Sequence, residues 1–99
     1  MSSMKPVRGT HDLFAEDLQK HQLVVSTAQR IAKRFACEEV KTPIFEFTEV
    51  FTRTSGESSD IVNKEMYSFE DRGGESISLR PEGTAPIVRA FLSNGWSQL

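Results

Sequence analysis

The sequence predicts an α+β fold, because a long amphipathic helix near the N-terminus is followed by short strand-forming segments and a second helix. Apolar residues recur at helical spacing over residues 14–36, which is typical of a helix with one apolar face. Apolar and polar residues alternate over residues 67–70 and again over residues 76–79, which is typical of strands. We therefore expect, in order, a long helix, an interrupted strand, a short helix, a β-hairpin and a terminal helix.

The long helix is expected to carry most of its apolar residues in one stripe, with Thr10 or Asp12 capping its start. The stripe consists of Phe14, Leu18, Val25, Ala28, Ala32 and Phe35. His21 lies near the middle of the stripe, where a buried, hydrogen-bonded histidine is more common than a catalytic one. Leu23 lies opposite the stripe, so we expect another surface, such as a second subunit, to cover it.

The next segment has the composition of a strand over residues 40–47 but contains Pro43. Because proline has no N–H to donate, this strand is expected at a sheet edge, a bend or an interface. Thr48 is a suitable cap for a short helix that includes Val50 and Phe51. The polar residues 55–60 are expected to form a surface loop.

The clearest local pattern is the hairpin, whose two strands flank the glycine pair of "DRGG". The second strand ends at Arg80 and Pro81, and Thr84 is expected to cap the terminal helix. Pro86 in the first turn and Gly95 after the last turn fit the preferences of helix ends. The buried face of this helix is expected to consist of Ile87, Val88, Phe91 and Leu92.

The junction between that strand and the terminal helix is the candidate binding site. It brings together the carboxylate of Glu82, the hydroxyl of Thr84 and the free N–H groups of a helix start. These groups offer acceptors to an ammonium group and donors to an anion, as a zwitterionic amino acid requires. A second explanation needs no ligand, because Glu82 would also interact favourably with the helix dipole while Thr84 caps the helix. The spacing of the residues leaves both explanations open.

The composition is that of a soluble globular chain of 99 residues, with a net charge of -2 and an isoelectric point near 5.7. This charge argues against a dedicated nucleic-acid surface, although a local RNA contact is compatible with it. Cys37 has no partner for an internal disulfide, which suits a reducing compartment, and we expect it to be a buried or half-buried structural thiol. No apolar run resembles a signal peptide or a membrane span, so a cytoplasmic protein without a membrane partner is expected.

Four segments of the chain resemble the histidyl-tRNA synthetase family and follow one another in the family's order. They are "RGTHDLF", "EVKTPIFEFTEVFTRTSGE", "KEMYSFEDRGGESISLRPEGT" and "LRPEGTAPIVRA". The resemblance extends over residues 5–95 and implies that residues 1–99 are the N-terminal portion of a class II aminoacyl-tRNA synthetase catalytic domain. In such domains helices flank an antiparallel sheet, and the long helix and the strand with Pro43 would correspond to motif 1.

The resemblance also implies an activity and a set of partners. Members of the family activate L-histidine with ATP and Mg²⁺ to form histidyl-adenylate, and then transfer the histidyl group to the 3′ end of tRNA(His). They are homodimers with motif 1 at the subunit interface, which would account for His21, Leu23 and Pro43.

Within the junction, the resemblance assigns histidine binding to Glu82, Gly83 and Thr84. Glu82 and Thr84 match the residues that contact the α-amino end of histidine, and Gly83 lets the backbone come close. No catalytic residue and no metal ligand of this chain is implied.

The chain departs from the family pattern by ending at Leu99, before motif 2, the histidine-specific segment, motif 3 and the anticodon-binding domain. We therefore expect a fragment with an incomplete active site, exposed strand edges and marginal stability. A smaller departure is Ala36-Cys37 at the end of the long helix, where relatives often carry a glycine. Two other functions stay open, namely a non-catalytic paralogue like the regulatory subunit of ATP phosphoribosyltransferase and a truncated interaction module.

Overall fold

The computed structural model describes residues 3–55 and 66–98 and divides the chain into two compact units, Met1–Glu39 and Val40–Leu99. The first unit contains a long helix, and the second contains a three-stranded antiparallel sheet with its helices. The predicted α+β class is confirmed. Residues 56–60 of the expected surface loop lie outside the described residues. Among the helices of the described ranges, none has the length and apolar character needed to cross a membrane.

Helix α1 of the first unit spans Ala15–Arg34. Its start has no side-chain cap, because Phe14 occupies the capping position in an extended conformation. The expectation that Thr10 or Asp12 caps this helix is therefore wrong. Thr10 instead closes a turn, since its Oγ1 and its N–H donate to the carbonyl oxygen of Val7 at 2.5 and 2.9 Å. Acidic residues in the first turn and basic residues in the last turn still favour the helix electrostatically.

Helix α1 has no buried residue. Leu23 is 66% exposed, and Val25 of the expected apolar stripe is 54% exposed. His21 is exposed as well, so the expectation of a buried, hydrogen-bonded histidine is wrong. The physical reason is that residues 3–39 form no second helix or strand against which the stripe could pack. The helix is consequently held by its own backbone hydrogen bonds.

The C-terminal end of α1 adopts a Schellman motif without glycine. The N–H of Ala36 donates to the carbonyl oxygen of Lys33 at 3.1 Å, and the N–H of Cys37 donates to that of Ala32 at 3.0 Å. Ala36 has φ 58°, a left-handed conformation in which its Cβ is sterically unfavourable. Cys37 is a free, exposed cysteine, so the expected burial of its thiol is wrong.

The sheet of the second unit has the strand order β1-β3-β2. The strands are β1 (Phe45–Phe47), β2 (Ser68–Glu70) and β3 (Ser76–Leu79). Ile77 of the central strand pairs with Phe47 on one side and with Phe69 on the other. Pro43 lies just before β1, which is an edge strand of this sheet, so the predicted peripheral position of the proline is confirmed.

The predicted hairpin between β2 and β3 is confirmed, and Asp71 fixes its turn. Asp71 Oδ1 accepts hydrogen bonds from the N–H groups of Gly73 and Glu75, both at 2.9 Å. Gly74 has φ 85°, the left-handed conformation that glycine adopts without steric cost.

Two α-helices complete the second unit, α2 (Thr48–Ser55) and α3 (Thr84–Ser93), and a 3₁₀ turn follows at Trp96–Gln98. Helix α2 contacts α3, β1 and β3, and its Phe51 is only 1% exposed. The buried residues of α3 are small ones, Ala85, Pro86 and Ala90. The expected buried face of α3 is therefore wrong, because each of its residues is at least 43% exposed: Ile87, Val88, Phe91 and Leu92. Small side chains let α3 approach its neighbours closely, and the large ones project elsewhere.

Buried polar groups tie the elements of this unit together. Glu46 of β1 is 8% exposed and accepts hydrogen bonds from Arg89 Nε and Nη2 at 2.9 and 2.8 Å. These hydrogen bonds raise the pKa of the Arg89 guanidinium, so Arg89 stays charged. Ser78 of β3 is 0% exposed, and its Oγ lies 2.8 Å from Thr48 Oγ1 and 2.7 Å from Ser68 Oγ.

Candidate functional site

The candidate site is the junction Arg80–Gly83, which links the end of β3 to the start of α3. Pro81 has no N–H and ends the ladder of the strand. Gly83 is the capping residue of α3, with φ -105° and ψ -13°. These angles do not require glycine, and a Cβ added at Gly83 would meet no atom of the described residues within 4 Å, apart from its two chain neighbours. The described part of the fold therefore does not require a glycine at this position. The proposed role of Gly83 is to let a bound molecule come close to the backbone.

The carboxylate of Glu82 folds back onto the first turn of α3. Its Oε2 accepts a hydrogen bond from the N–H of Thr84 at 2.5 Å, and its Oε1 accepts one from the N–H of Ala85 at 3.0 Å. A negative charge at this end of a helix is favoured by the helix dipole. Glu82 thus caps α3. This agrees with the explanation that needs no ligand, in which the charge of Glu82 interacts favourably with the helix dipole. Thr84 is not the cap, contrary to expectation, but the first residue of the helix.

The capping geometry changes what the junction can bind. The N–H groups of Thr84 and Ala85 already have an acceptor within the chain, so the expected free donors for an anion are not available there. A carboxylate accepts about four hydrogen bonds, and the cap uses one on each oxygen. Glu82 is half-buried, while Thr84 is exposed and its hydroxyl makes no hydrogen bond within the described ranges. The remaining lone pairs of Glu82 and the hydroxyl of Thr84 are suited to a positively charged donor.

Arg80 anchors the strand end of the junction. Its Nη1 donates to Thr42 Oγ1 at 3.0 Å, to the Thr42 carbonyl at 3.1 Å and to the Pro43 carbonyl at 3.4 Å. Its backbone N–H donates to the Ile44 carbonyl at 2.9 Å. Sequence reasoning missed this contact, because a partner 38 positions earlier in the chain leaves no local pattern.

A cleft of about 420 Å³ borders the junction. Its lining consists of Val40, Lys41, Thr42, Arg80, Gly83 and Ile87. This volume is within the range of small-molecule sites in proteins, which is roughly 300–1,000 Å³. Of the three residues expected to bind histidine, Gly83 lines this cleft, whereas Glu82 and Thr84 do not.

No group of three or more His, Cys, Asp or Glu side chains that could hold a metal ion occurs in residues 3–55 and 66–98. None of the described residues is therefore assigned as a ligand of Mg²⁺.

Comparisons with known proteins agree with the resemblance found in the sequence. The family model described as Histidyl-tRNA synthetase matches residues 9–95. The histidine–tRNA ligase of Gluconobacter oxydans is 60% identical over 98 residues, which are 99% of this chain and 24% of that protein. The histidine–tRNA ligase of Thermotoga maritima is 53% identical over 88 residues, which are 89% of this chain and 21% of that protein. The chain thus spans about a quarter of the length of the curated relatives it matches.

Solved structures show the same fold. Apo histidyl-tRNA synthetase of S. aureus superposes with a TM-score of 0.81 at 36% identity, over 96% of this chain and 25% of that one. An ATP phosphoribosyltransferase regulatory subunit/histidyl-tRNA synthetase from Bacillus halodurans superposes over 100% of this chain and 25% of that one, with a TM-score of 0.78. Its sequence identity is 21%, so this likeness concerns the fold alone.

The fold and the matches place the chain among the aminoacyl-tRNA synthetases. Within that class, the chain belongs to the histidyl-tRNA synthetase family.

Proposed function

We propose that this chain supplies the part of a histidine–tRNA ligase that binds the α-amino end of histidine. The observation that carries the proposal is the carboxylate of Glu82, which is held in place at the junction with acceptor capacity left over. Thr84 places its hydroxyl on the first turn of α3, and Gly83 between the two residues has no side chain. Family membership supports histidine as the amino acid.

The proposed reaction begins with attack of a histidine carboxylate oxygen on the α-phosphorus of ATP. A new P–O bond forms, pyrophosphate leaves, and the product is histidyl-adenylate. The histidyl group then passes to a hydroxyl at the 3′ end of tRNA(His), and AMP is released. Mg²⁺ would neutralise phosphate charge on ATP and on the departing pyrophosphate. The role of this chain is to fix the amino end, so that the carboxylate of histidine points towards the phosphate.

The cap contacts of Glu82 help this role, because they immobilise its carboxylate before any ligand arrives. A flexible glutamate would lose side-chain entropy on binding, and that loss weakens affinity. In the proposed site the entropy is lost on folding instead, so the acceptor is preorganised for an ammonium group.

The proposal includes a homodimer in the cytoplasm. Leu23, His21 and the Pro43 segment are the proposed subunit contacts, and the 66% exposure of Leu23 supports this assignment. In a two-fold dimer both subunits use the same surface, so an apolar side chain at the interface is covered in each of the two copies.

Two other functions compete with this proposal. A paralogue like the regulatory subunit of ATP phosphoribosyltransferase would keep the fold without ligase activity. A non-catalytic interaction module would keep the helical surface without a histidine site. The identity of 53–60% to histidine–tRNA ligases favours the ligase over both.

The test is a hybrid enzyme in which this chain replaces the matching segment of the Gluconobacter oxydans relative. In the hybrid enzyme, Glu82→Ala is expected to raise the KM for histidine and to lower kcat in pyrophosphate exchange, by roughly 100-fold in kcat/KM, because a charged hydrogen bond is lost. Thr84→Ala is expected to cost about tenfold, as a neutral hydroxyl contact is weaker.

Glu75→Ala, in the hairpin turn, is the matched control for loss of an exposed carboxylate. Equal exchange kinetics for the parent hybrid enzyme and Glu82→Ala would refute the assignment.

A further inference from the structure

Arg80 is bound to the segment before β1 through both its backbone and its side chain. The backbone N–H of Arg80 donates a hydrogen bond to the Ile44 carbonyl, which extends the pairing of β3 with β1 by one residue. The guanidinium donates hydrogen bonds to Thr42 and Pro43. One Nη1 atom has only two hydrogens for its three acceptors, so the 3.4 Å contact to Pro43 is the weakest. Arg80 therefore holds chiefly Thr42, through its carbonyl and its hydroxyl.

Only Pro81 separates this anchor from Glu82. The ring of Pro81 fixes its φ angle near -65° and transmits the position of Arg80 to the next residue with little freedom. On the other side, the carboxylate of Glu82 bonds to the start of α3 and, within the described residues, to no group of the sheet. The location of the carboxylate relative to the sheet and the adjoining cleft is therefore set by two supports, Arg80 and α3.

We infer that Arg80 is a positioning residue for the amino acid substrate, acting through Glu82. The inference rests on the proposed function of Glu82 and adds a residue that does not itself touch the ligand in this role. Arg80 is exposed, so solvent competes for its hydrogen bonds, and we expect them to add less to the stability of the fold than those between Arg89 and the buried Glu46.

The first test measures the KM values of histidine and ATP separately in the hybrid enzyme. Arg80→Gln is expected to raise the KM for histidine about tenfold, with the KM for ATP and the thermal midpoint close to those of the parent. Thr42→Val, which keeps the carbonyl acceptor, is expected to raise the KM for histidine about threefold. Arg72→Gln, an exposed arginine in the hairpin turn, removes the same charge and should change neither KM.

The decisive variant combines Arg80→Gln with Glu82→Gln. If Arg80 acts through Glu82, the double variant has the same KM for histidine as Glu82→Gln alone, because the carboxylate to be positioned is gone. Additive losses overturn the inference. So does an Arg80→Gln variant that lowers the thermal midpoint and kcat while leaving the KM for histidine unchanged, since that result indicates a structural role only.

A failure of the proposed function gives a different result. In that case Glu82→Gln itself leaves the KM for histidine unchanged, whereas a failure of the inference leaves the effect of Glu82→Gln intact.

A second measurement does not depend on catalysis and uses the 99-residue chain itself. The amide NMR signals of Thr84 and Ala85 report the position of the Glu82 carboxylate that they contact. These signals are expected to shift in Arg80→Gln and to stay in place in Arg72→Gln. Unchanged signals in Arg80→Gln overturn the inference.

Discussion

Helices α1 and α3 have comparable apolar spacing, yet α1 buries none of its residues while α3 buries Ala85, Pro86 and Ala90. The difference lies in their polar partners and in the elements around them. Helix α3 is capped by Glu82 and linked to β1 through Arg89 and Glu46. Helix α1 has no side-chain cap, and both ends rely on backbone hydrogen bonds and the helix dipole. Amphipathic spacing therefore does not decide burial, and tertiary polar contacts distinguish the two units.

The largest expected effect concerns the exposed surface of α1. Leu23→Gln should weaken self-association of the chain by roughly 4 kcal/mol per dimer, because a two-fold interface loses about 2 kcal/mol in each copy. Leu92→Gln is the matched control, since Leu92 of α3 is also 66% exposed. Sedimentation over a range of concentrations measures the effect. Equal weakening by both variants, or a parent chain that stays monomeric at every concentration, would argue against α1 as the subunit contact.

The next effect concerns the buried ion pair of the second unit. Arg89→Met should lower the free energy of unfolding by about 3 kcal/mol, because it leaves the buried carboxylate of Glu46 without a partner. Arg53→Met is the control, since its pair with Glu49 has side chains that are 80% and 64% exposed. We expect at most about 0.5 kcal/mol there. Urea denaturation followed by circular dichroism measures the free energy of unfolding of both variants. Similar losses in Arg89→Met and Arg53→Met would contradict the importance of burial.

A smaller loss is expected in the hydroxyl cluster on β3. Ser78→Ala should destabilise the chain by about 1.5 kcal/mol, because Thr48 and Ser68 each lose a partner for their hydroxyls. Ser26→Ala in α1 is the control, since its hydroxyl contacts only the carbonyl of Leu23 in an exposed position. The same urea titration distinguishes them. A Ser78→Ala variant as stable as the parent would show that the cluster contributes little.

The smallest effect should be a gain. Ala36→Gly is expected to stabilise the chain by about 1 kcal/mol, because glycine adopts the left-handed conformation of this position without steric strain. Ala28→Gly, within α1, should instead destabilise it by about 1 kcal/mol. Thermal unfolding followed at the helical band measures both. A loss of stability in Ala36→Gly would contradict the strain inferred from φ.

Much of the fold could be predicted from local patterns. Alternation and the "DRGG" turn predicted the hairpin, and the missing N–H of Pro43 predicted a position at an edge, a bend or an interface and not in the centre of a sheet. The capping residues of α1 and α3 were predicted incorrectly, because a cap depends on backbone angles and not only on a suitable residue. The packed side of α3 was missed for a related reason, since periodicity shows that a helix has an apolar face but not which neighbours reach it.

The candidate site was predictable in its residues but not in its geometry. Spacing placed Glu82 and Thr84 at a helix start, and the competing roles of cap and ligand could not be separated at that level. The structure shows that Glu82 is a cap, which leaves its role in binding to rest on its remaining lone pairs. The contact of Arg80 with Thr42 joins residues 38 positions apart, so no window of the sequence contains it.

Gly83 offers a way to separate foldability from recognition. Its backbone angles do not require glycine, and a methyl group there would meet none of the described residues apart from its two chain neighbours. Alanine at this position is therefore not restrained by the described part of the chain, and a loss of activity in Gly83→Ala would originate in what docks against the junction, either the ligand or another part of the enzyme.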